Sequence, residues 1–207
     1  MKAQFKKISN LLALGMFALA VVGCDAQTKA PLCDQATGPM EGLNGDYAVN
    51  DRDVDTFGVK TQEIHIGPEV GKKTYSVKFH DDDEGFFACN VNGRYILEAK
   101  DEKTGGYLQL GLYVSQVGLH VNPLLYDKVK LDAAGIPNSV VVIPEGLKRF
   151  MGGAASKFIE SLATKAVQLV SDEGENKLLV IDNTGVEASA LLQNTKPSWI
   201  GMTLFRK

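Results

Sequence analysis

The chain has 207 residues, a formal net charge of −3 and three cysteines. That length suits one domain with a sizeable core. The mildly acidic balance argues against nucleic acid, which is bound through Lys and Arg neutralising phosphates, and against docking on anionic lipid heads.

Lys2, Lys6 and Lys7 give the chain a basic tip, Leu11 to Ala20 is a short apolar run, and Val21-Val22-Gly23-Cys24 follows. This order reads as a secretory signal peptide. The apolar run is shorter than the roughly 20 residues a spanning helix wants. Val21-Val22-Gly23-Cys24 resembles the lipobox of bacterial lipoproteins, and the resemblance covers residues 1–24 only. It implies a signal peptide over 1–23, cleavage before Cys24, a diacylglycerol on the Cys24 sulfur and a further acyl chain, of the palmitate kind, on its amine. At about 0.8 kcal/mol per buried CH₂, two or three chains anchor stably where one does not. The membrane is then a partner through lipid on Cys24, and the domain faces the periplasm or the exterior. Asp25 resembles the enteric signal for inner-membrane retention, while inner and outer membrane both stay open. The alternatives are ordinary secretion with cleavage near Ala26 and an uncleaved anchor.

Cys33 and Cys89 remain, and two thiols in an exported chain pair more often than they stay free. Their disulfide would stabilise the fold by roughly 4 kcal/mol in the chain-entropy model. A buried Cys89 with a free Cys33 is the other reading. No nearby His suggests an activated nucleophile.

Residues 24–43 are polar and rich in small residues, with Pro31 and Pro39, and read as a lipidated tether. Residues 44–207 read as a single domain. From Gly45, period-2 alternation predicts half-buried strands with one face in water. The runs are Ile64 and Ile66; Tyr75, Val77 and Phe79; Phe87, Cys89 and Val91; Tyr95, Leu97 and Ala99. Leu108, Leu110, Leu112 and Val114 form the clearest stripe, continued by Leu119 and Val121. Turns are expected at Gly67–Gly71, Asp81–Gly85, Lys103–Gly106 and Ser115-Gln116, with Asn92-Gly93 the strongest two-residue hairpin signal. With Val140–Ile143 added, seven or eight strands form an antiparallel meander able to curl into a barrel and remove its edges.

After Pro144 the period changes. Leu147, Phe150 and Met151 stand at helical spacing, and Phe158, Leu162, Ala166 and Leu169 mark an amphipathic helix over 154–171. Leu178–Ile181 reads as a strand, Val186–Gln193 as a short helix capped by Asn183 or Thr184, and Trp199–Arg206 as a closing strand. The expected fold class is α+β: an antiparallel meander or partly closed β-barrel with one amphipathic helix and a short C-terminal helix.

Catalytic and metal motifs come only as near misses. Gly67–Thr74 echoes a phosphate loop but has three residues between its glycines instead of four, and a strand follows. Asp51, Asp53 and Asp55 echo a calcium loop but lack its Gly and Glu, leaving a solvated acidic loop or weak calcium binding. His80–Glu84 is dense in metal-capable side chains where a turn is expected. His65 and His120 fall on polar strand faces. No Gly-x-Ser-x-Gly, Ser-x-x-Lys or His-Glu-x-x-His occurs. Catalytic residues, metal ligands and a cofactor are all assigned as none.

Gly45-Asp46-Tyr47 opens the first strand of the domain and Arg206 ends the last. This resembles lipocalins and related calycins, which open with Gly-x-Trp and carry a basic residue that packs on that Trp. The resemblance implies an apolar pocket lined by Tyr75, Val77, Phe79, Leu108, Leu110 and Leu112. These residues are otherwise simply core. The sequence therefore favours a lipid-anchored envelope protein that binds or scaffolds and does not catalyse, with an envelope protein as partner. A carrier of a small apolar ligand is the first alternative, and a hydrolase with dispersed catalytic residues is the second.

Overall fold

A computed structural model describes residues 26–49, 63–79, 82–101, 104–143, 176–198 and 201–207. The first strand, β1 (Ala26–Thr28), lies outside a barrel that begins with the next seven. These are β2 (Gly45–Val49), β3 (Glu63–Pro68), β4 (Tyr75–Phe79), β5 (Asp82–Val91), β6 (Arg94–Lys100), β7 (Tyr107–Val114) and β8 (Leu119–Tyr126). Helix α1 (Lys128–Ala133), β9 (Asn138–Ile143), β10 (Asn176–Ile181), helix α2 (Ala188–Gln193), β11 (Thr195–Pro197) and β12 (Met202–Arg206) complete the described chain.

Strands β2 to β8 form a continuous antiparallel meander, and β12 closes it by pairing antiparallel with both β8 and β2. The result is a closed eight-stranded antiparallel β-barrel. At the seam Leu204 stands opposite Val49 on one side and Leu119 on the other. The β5–β6 hairpin turns on Asn92 (φ 50°) and Gly93 (φ 82°), the left-handed pair that a tight hairpin needs.

The alternation read from the sequence puts one side-chain set inside. Tyr47, Ile64, Val77, Leu97, Leu110, Leu112, Val121 and Leu204 share one buried core, joined by Met40 and Leu43 from the segment before β2.

A second layer lies outside. β1 pairs antiparallel with the start of β7 and parallel with β10, and β9 pairs antiparallel with β10. β11 pairs with the end of β8. Leu32, Cys89, Val91, Ile96, Tyr126, Leu131, Ile181 and Leu191 form a second core between this layer and the barrel wall.

Several expectations are corrected by this layer. Residues 26–43 are not a tether: β1 is hydrogen-bonded on both sides, and Leu32, Met40 and Leu43 are buried. The composition was misleading because the segment is held by partners far along the chain. Ala30 N–H donates to Asn183 Oδ1 at 2.8 Å and Asn183 Nδ2 donates back to Ala30 O at 2.9 Å. Asn183 is thus a clamp on Ala30, and Glu187 holds the N-cap position of α2 without a capping side chain.

From Phe86 onward in β5, and over Ile96–Ala99 in β6, both faces of the strand are covered. Phe86 and Ala88 face the barrel while Cys89 and Val91 enter the second core, and Ile96 is buried on the outer side of β6. β9, counted among the barrel strands in the sequence reading, lies in the outer layer, and its eighth place is taken by β12. Asp82 to Gly85 belong to β5, not to a turn. α1 and β11 were unexpected. The helix expected over 154–171 lies outside the described residues, as does the start of the expected closing strand at 199–200.

Candidate functional site

On the outer face of the wall, Phe87, Glu98 and Gln109 stand in one row across β5, β6 and β7. The segment after β1 crosses this row. Leu32 N–H and Cys33 N–H donate to the Glu98 carboxylate at 2.8 and 3.2 Å, and Gln109 Nε2 donates to it at 3.0 Å. Gln109 Nε2 also reaches Thr28 Oγ1 at 2.6 Å, and Tyr126 OH donates to Gln109 Oε1 at 3.2 Å. Cys33 is bonded to Cys89, which fixes the crossing segment to β5.

Glu98 is only 1% exposed. Burial pushes its carboxyl above the usual range, against the pull of the Gln109, Leu32 and Cys33 donors. Burial likewise pushes the Tyr126 phenol far up, and the nearby Glu98 charge adds to it. The network is satisfied on every side, so its immediate role is to bind the N-terminal segment to the barrel.

Beside it runs a surface groove of about 490 Å³. Pro31, Cys33, Asp34 and Ala36 line it from the crossing segment, and Glu69, Lys72, Lys73 and Thr74 from the β3–β4 turn. Phe87, Glu98 and Tyr107 complete its lining. The turn is shaped internally: Lys72 Nζ reaches Glu69 Oε1 at 3.0 Å, and Thr74 donates to the same carboxylate. These donors, Thr74 foremost, hold the Glu69 carboxyl below its usual value. Lys72 Nζ also lies 5.8 Å from the centre of the Phe87 ring, within cation–π range. The groove thus presents charges of both signs, from Asp34, Glu69, Lys72 and Lys73, beside the aromatic rings of Phe87 and Tyr107.

The barrel interior is different. The space bounded by Ile64, Val77, Leu97, Leu112, Val121 and Leu204 measures about 10 Å³, no more than one water requires. Of the expected pocket residues, Val77, Leu110 and Leu112 are buried in the barrel core, with Tyr75 and Leu108 packed against it. The Phe79 side chain lies outside the described set. Gly45, Tyr47 and Arg206 do come together: Arg206 stands opposite Tyr47 across the β2–β12 seam and donates from Nη2 to Asn44 O at 2.8 Å.

Cys24 and the residues before it, and Asp51, Asp53 and Asp55, lie outside the described residues, as do the side chains of His80–Glu84. Gly67–Thr74 ends β3 and turns into β4, a hairpin and not a strand-to-helix loop. His65 Nδ1 pairs with Asp46 at 2.6 Å, while His120 sits between Ser115 and Thr203. Among the described residues no three His, Cys, Asp or Glu side chains gather as a metal site.

The sequence reading missed Glu98, Lys72 and the groove. One signal was available: Ile96 shares the outer face of β6 with Glu98, and an apolar residue there marks a covered face.

The fold and this site define a closed antiparallel barrel, compatible with the calycin type, that carries an outer layer and an external groove. Comparison of the chain with protein-family models, curated proteins and solved structures finds no match.

Proposed function

We propose that the protein is a bacterial envelope lipoprotein, anchored by lipid on Cys24, whose domain binds a partner on its outer surface and does not catalyse. The external groove carries this reading: its volume is of the order of the roughly 300 Å³ of a small-molecule pocket, whereas among the described residues the space between Ile64, Val77, Leu112 and Leu204 holds only about 10 Å³. The lipobox resemblance supports the anchor. Among the described residues no helix is long and apolar enough to cross a membrane.

The test is native mass spectrometry of the full chain, expressed with its own leader in a bacterium and purified in detergent. The expected mass is the polypeptide from Cys24 with its acyl chains and nothing else. A co-purifying apolar molecule released on denaturation would replace this reading with that of a carrier. The carrier is the second reading, favoured by the Gly45, Tyr47 and Arg206 arrangement at the barrel seam.

A further inference from the structure

The lipid anchor and the body of the domain are separated by almost no chain. β1 begins at Ala26, two residues after Cys24, and two residues span at most about 7 Å. Ala26 itself is buried and paired with Leu179 of β10. A lipid on Cys24 therefore holds Ala26 within about 7 Å of its point of attachment, and the surface around β1 stands close to the bilayer.

The register identifies that surface. Ala26 stands opposite Leu179, and Leu179 opposite Val140 of β9, so the three form one row across the outer layer. Two strand spacings put Val140 about 10 Å from Ala26. Among the described residues β9 pairs only with β10, which leaves it the edge strand. Val140 is 38% and Val141 46% exposed, on opposite faces of that edge. Such an apolar edge is a liability in water and calls for cover.

We infer that the β9 edge, at Val140 and Val141, rests at headgroup level on the membrane that holds the Cys24 lipid, which fixes the orientation of the domain. This rests on the lipoprotein reading. Among the described residues the outer side of β9 has no partner strand, and its backbone groups keep the edge out of the hydrocarbon, where nothing would satisfy them. The contact is apolar and short-range, in keeping with the acidic net charge, so it is insensitive to salt. β1 leads away from the anchor, and Pro31 and Cys33 beyond its end form a wall of the groove.

The test uses the full lipidated chain in phosphatidylcholine–phosphatidylethanolamine vesicles. V140C, V141C and V70C each carry an environment-sensitive fluorophore. Val70 is fully exposed on the β3–β4 turn, whose strands pair with none of β1, β10 and β9, and serves as the reference. Lipids with a shallow quencher are expected to quench positions 140 and 141 several times more strongly than position 70, and more strongly than lipids with a deep quencher. Equal quenching at all three positions, with acyl chains confirmed on Cys24 by mass, overturns this inference alone. A mass without acyl chains overturns the lipoprotein reading and the inference with it.

Discussion

Arg206 faces Tyr47 across the seam that shuts the barrel, and each is bonded to the segment that leads into β2. The Arg206 guanidinium donates to Asn44 O, and the Tyr47 hydroxyl donates to Leu43 O at 2.9 Å. Gly45, at φ 152°, makes the approach feasible, since a Cβ there would lie 3.2 Å from Arg206 Nε. Burial raises the Tyr47 phenol above its ordinary value, and the Arg206 charge opposes that rise. The two bonds differ in worth because Tyr47 is buried and Arg206 is exposed. Tyr47→Phe leaves a buried carbonyl without its donor and is expected to cost about 1–3 kcal/mol. Arg206→Ala is expected to cost less than about 1 kcal/mol, since water replaces an exposed donor. Urea unfolding of the two variants checks the order; a larger loss for Arg206→Ala would contradict it.

The barrel was legible in the sequence because its interior obeys a local rule. Leu108, Leu110 and Leu112 alternate, as do Ile64 and Ile66, and Asn92-Gly93 marks a turn by its own backbone preference. The outer layer was not legible because its contacts join residues far apart in the chain. Gln27 is covered because β1 lies between β7 and β10, and Glu98 because the segment after β1 crosses over it. A polar side chain at a strand position reads as solvent-facing unless its cover is known. The polar, Pro-containing stretch over 24–43 misled for the same reason, since nothing local records that Asn183 holds Ala30 or that Cys89 holds Cys33. The groove is built from these long-range pairings and was illegible with them.

The Cys33–Cys89 bond closes a loop of 56 residues, with Cα atoms 5.5 Å apart. In the chain-entropy model this contributes roughly 4 kcal/mol by restricting the unfolded chain. Cys33 also carries one of the N–H groups that hold Glu98, so loss of the bond loosens the groove wall as well as the unfolded state. The double variant C33S/C89S is expected to lower unfolding free energy by roughly that amount. Dithiothreitol should reproduce the effect in the native protein and leave the variant unchanged. A reductant-insensitive urea midpoint in the native protein would show that the bond contributes little.

Leu112 lines the small internal space and belongs to the barrel core. Leu112→Ala is expected to cost about 2–5 kcal/mol, since a closed barrel relaxes only in part around a deletion. The cavity so formed joins the existing space and is apolar on all sides. Benzene, followed by NMR shifts of the core methyl groups, is expected to bind the variant and not the native protein. Shifts of equal size in the native protein would mean that its interior already admits ligands, and would favour the carrier reading.

Glu98 supplies the last prediction, because its charge is held where charge is costly. Burial raises its carboxyl, so the folded state binds the proton more tightly than the unfolded chain does. A raised carboxyl contributes stability that is fully present below its ordinary pKa and is lost as pH rises through the folded-state value. Glu98→Gln removes that titration while keeping the shape. The stability of the native protein relative to this variant is therefore expected to fall as pH rises from the ordinary carboxylate range toward neutrality. Glu98→Gln does not come free of cost at low pH, since its amide turns one donor toward the Cys33 or Leu32 N–H. Glu98→Ala removes the acceptor from both and is expected to cost roughly 2–6 kcal/mol, at about 1–3 for each buried N–H. Urea unfolding across this pH range for the native protein and both variants tests the argument. A native-minus-Gln difference that stays flat or rises with pH would mean that the buried donors outweigh burial, and that Glu98 is a stabilising anion at neutral pH.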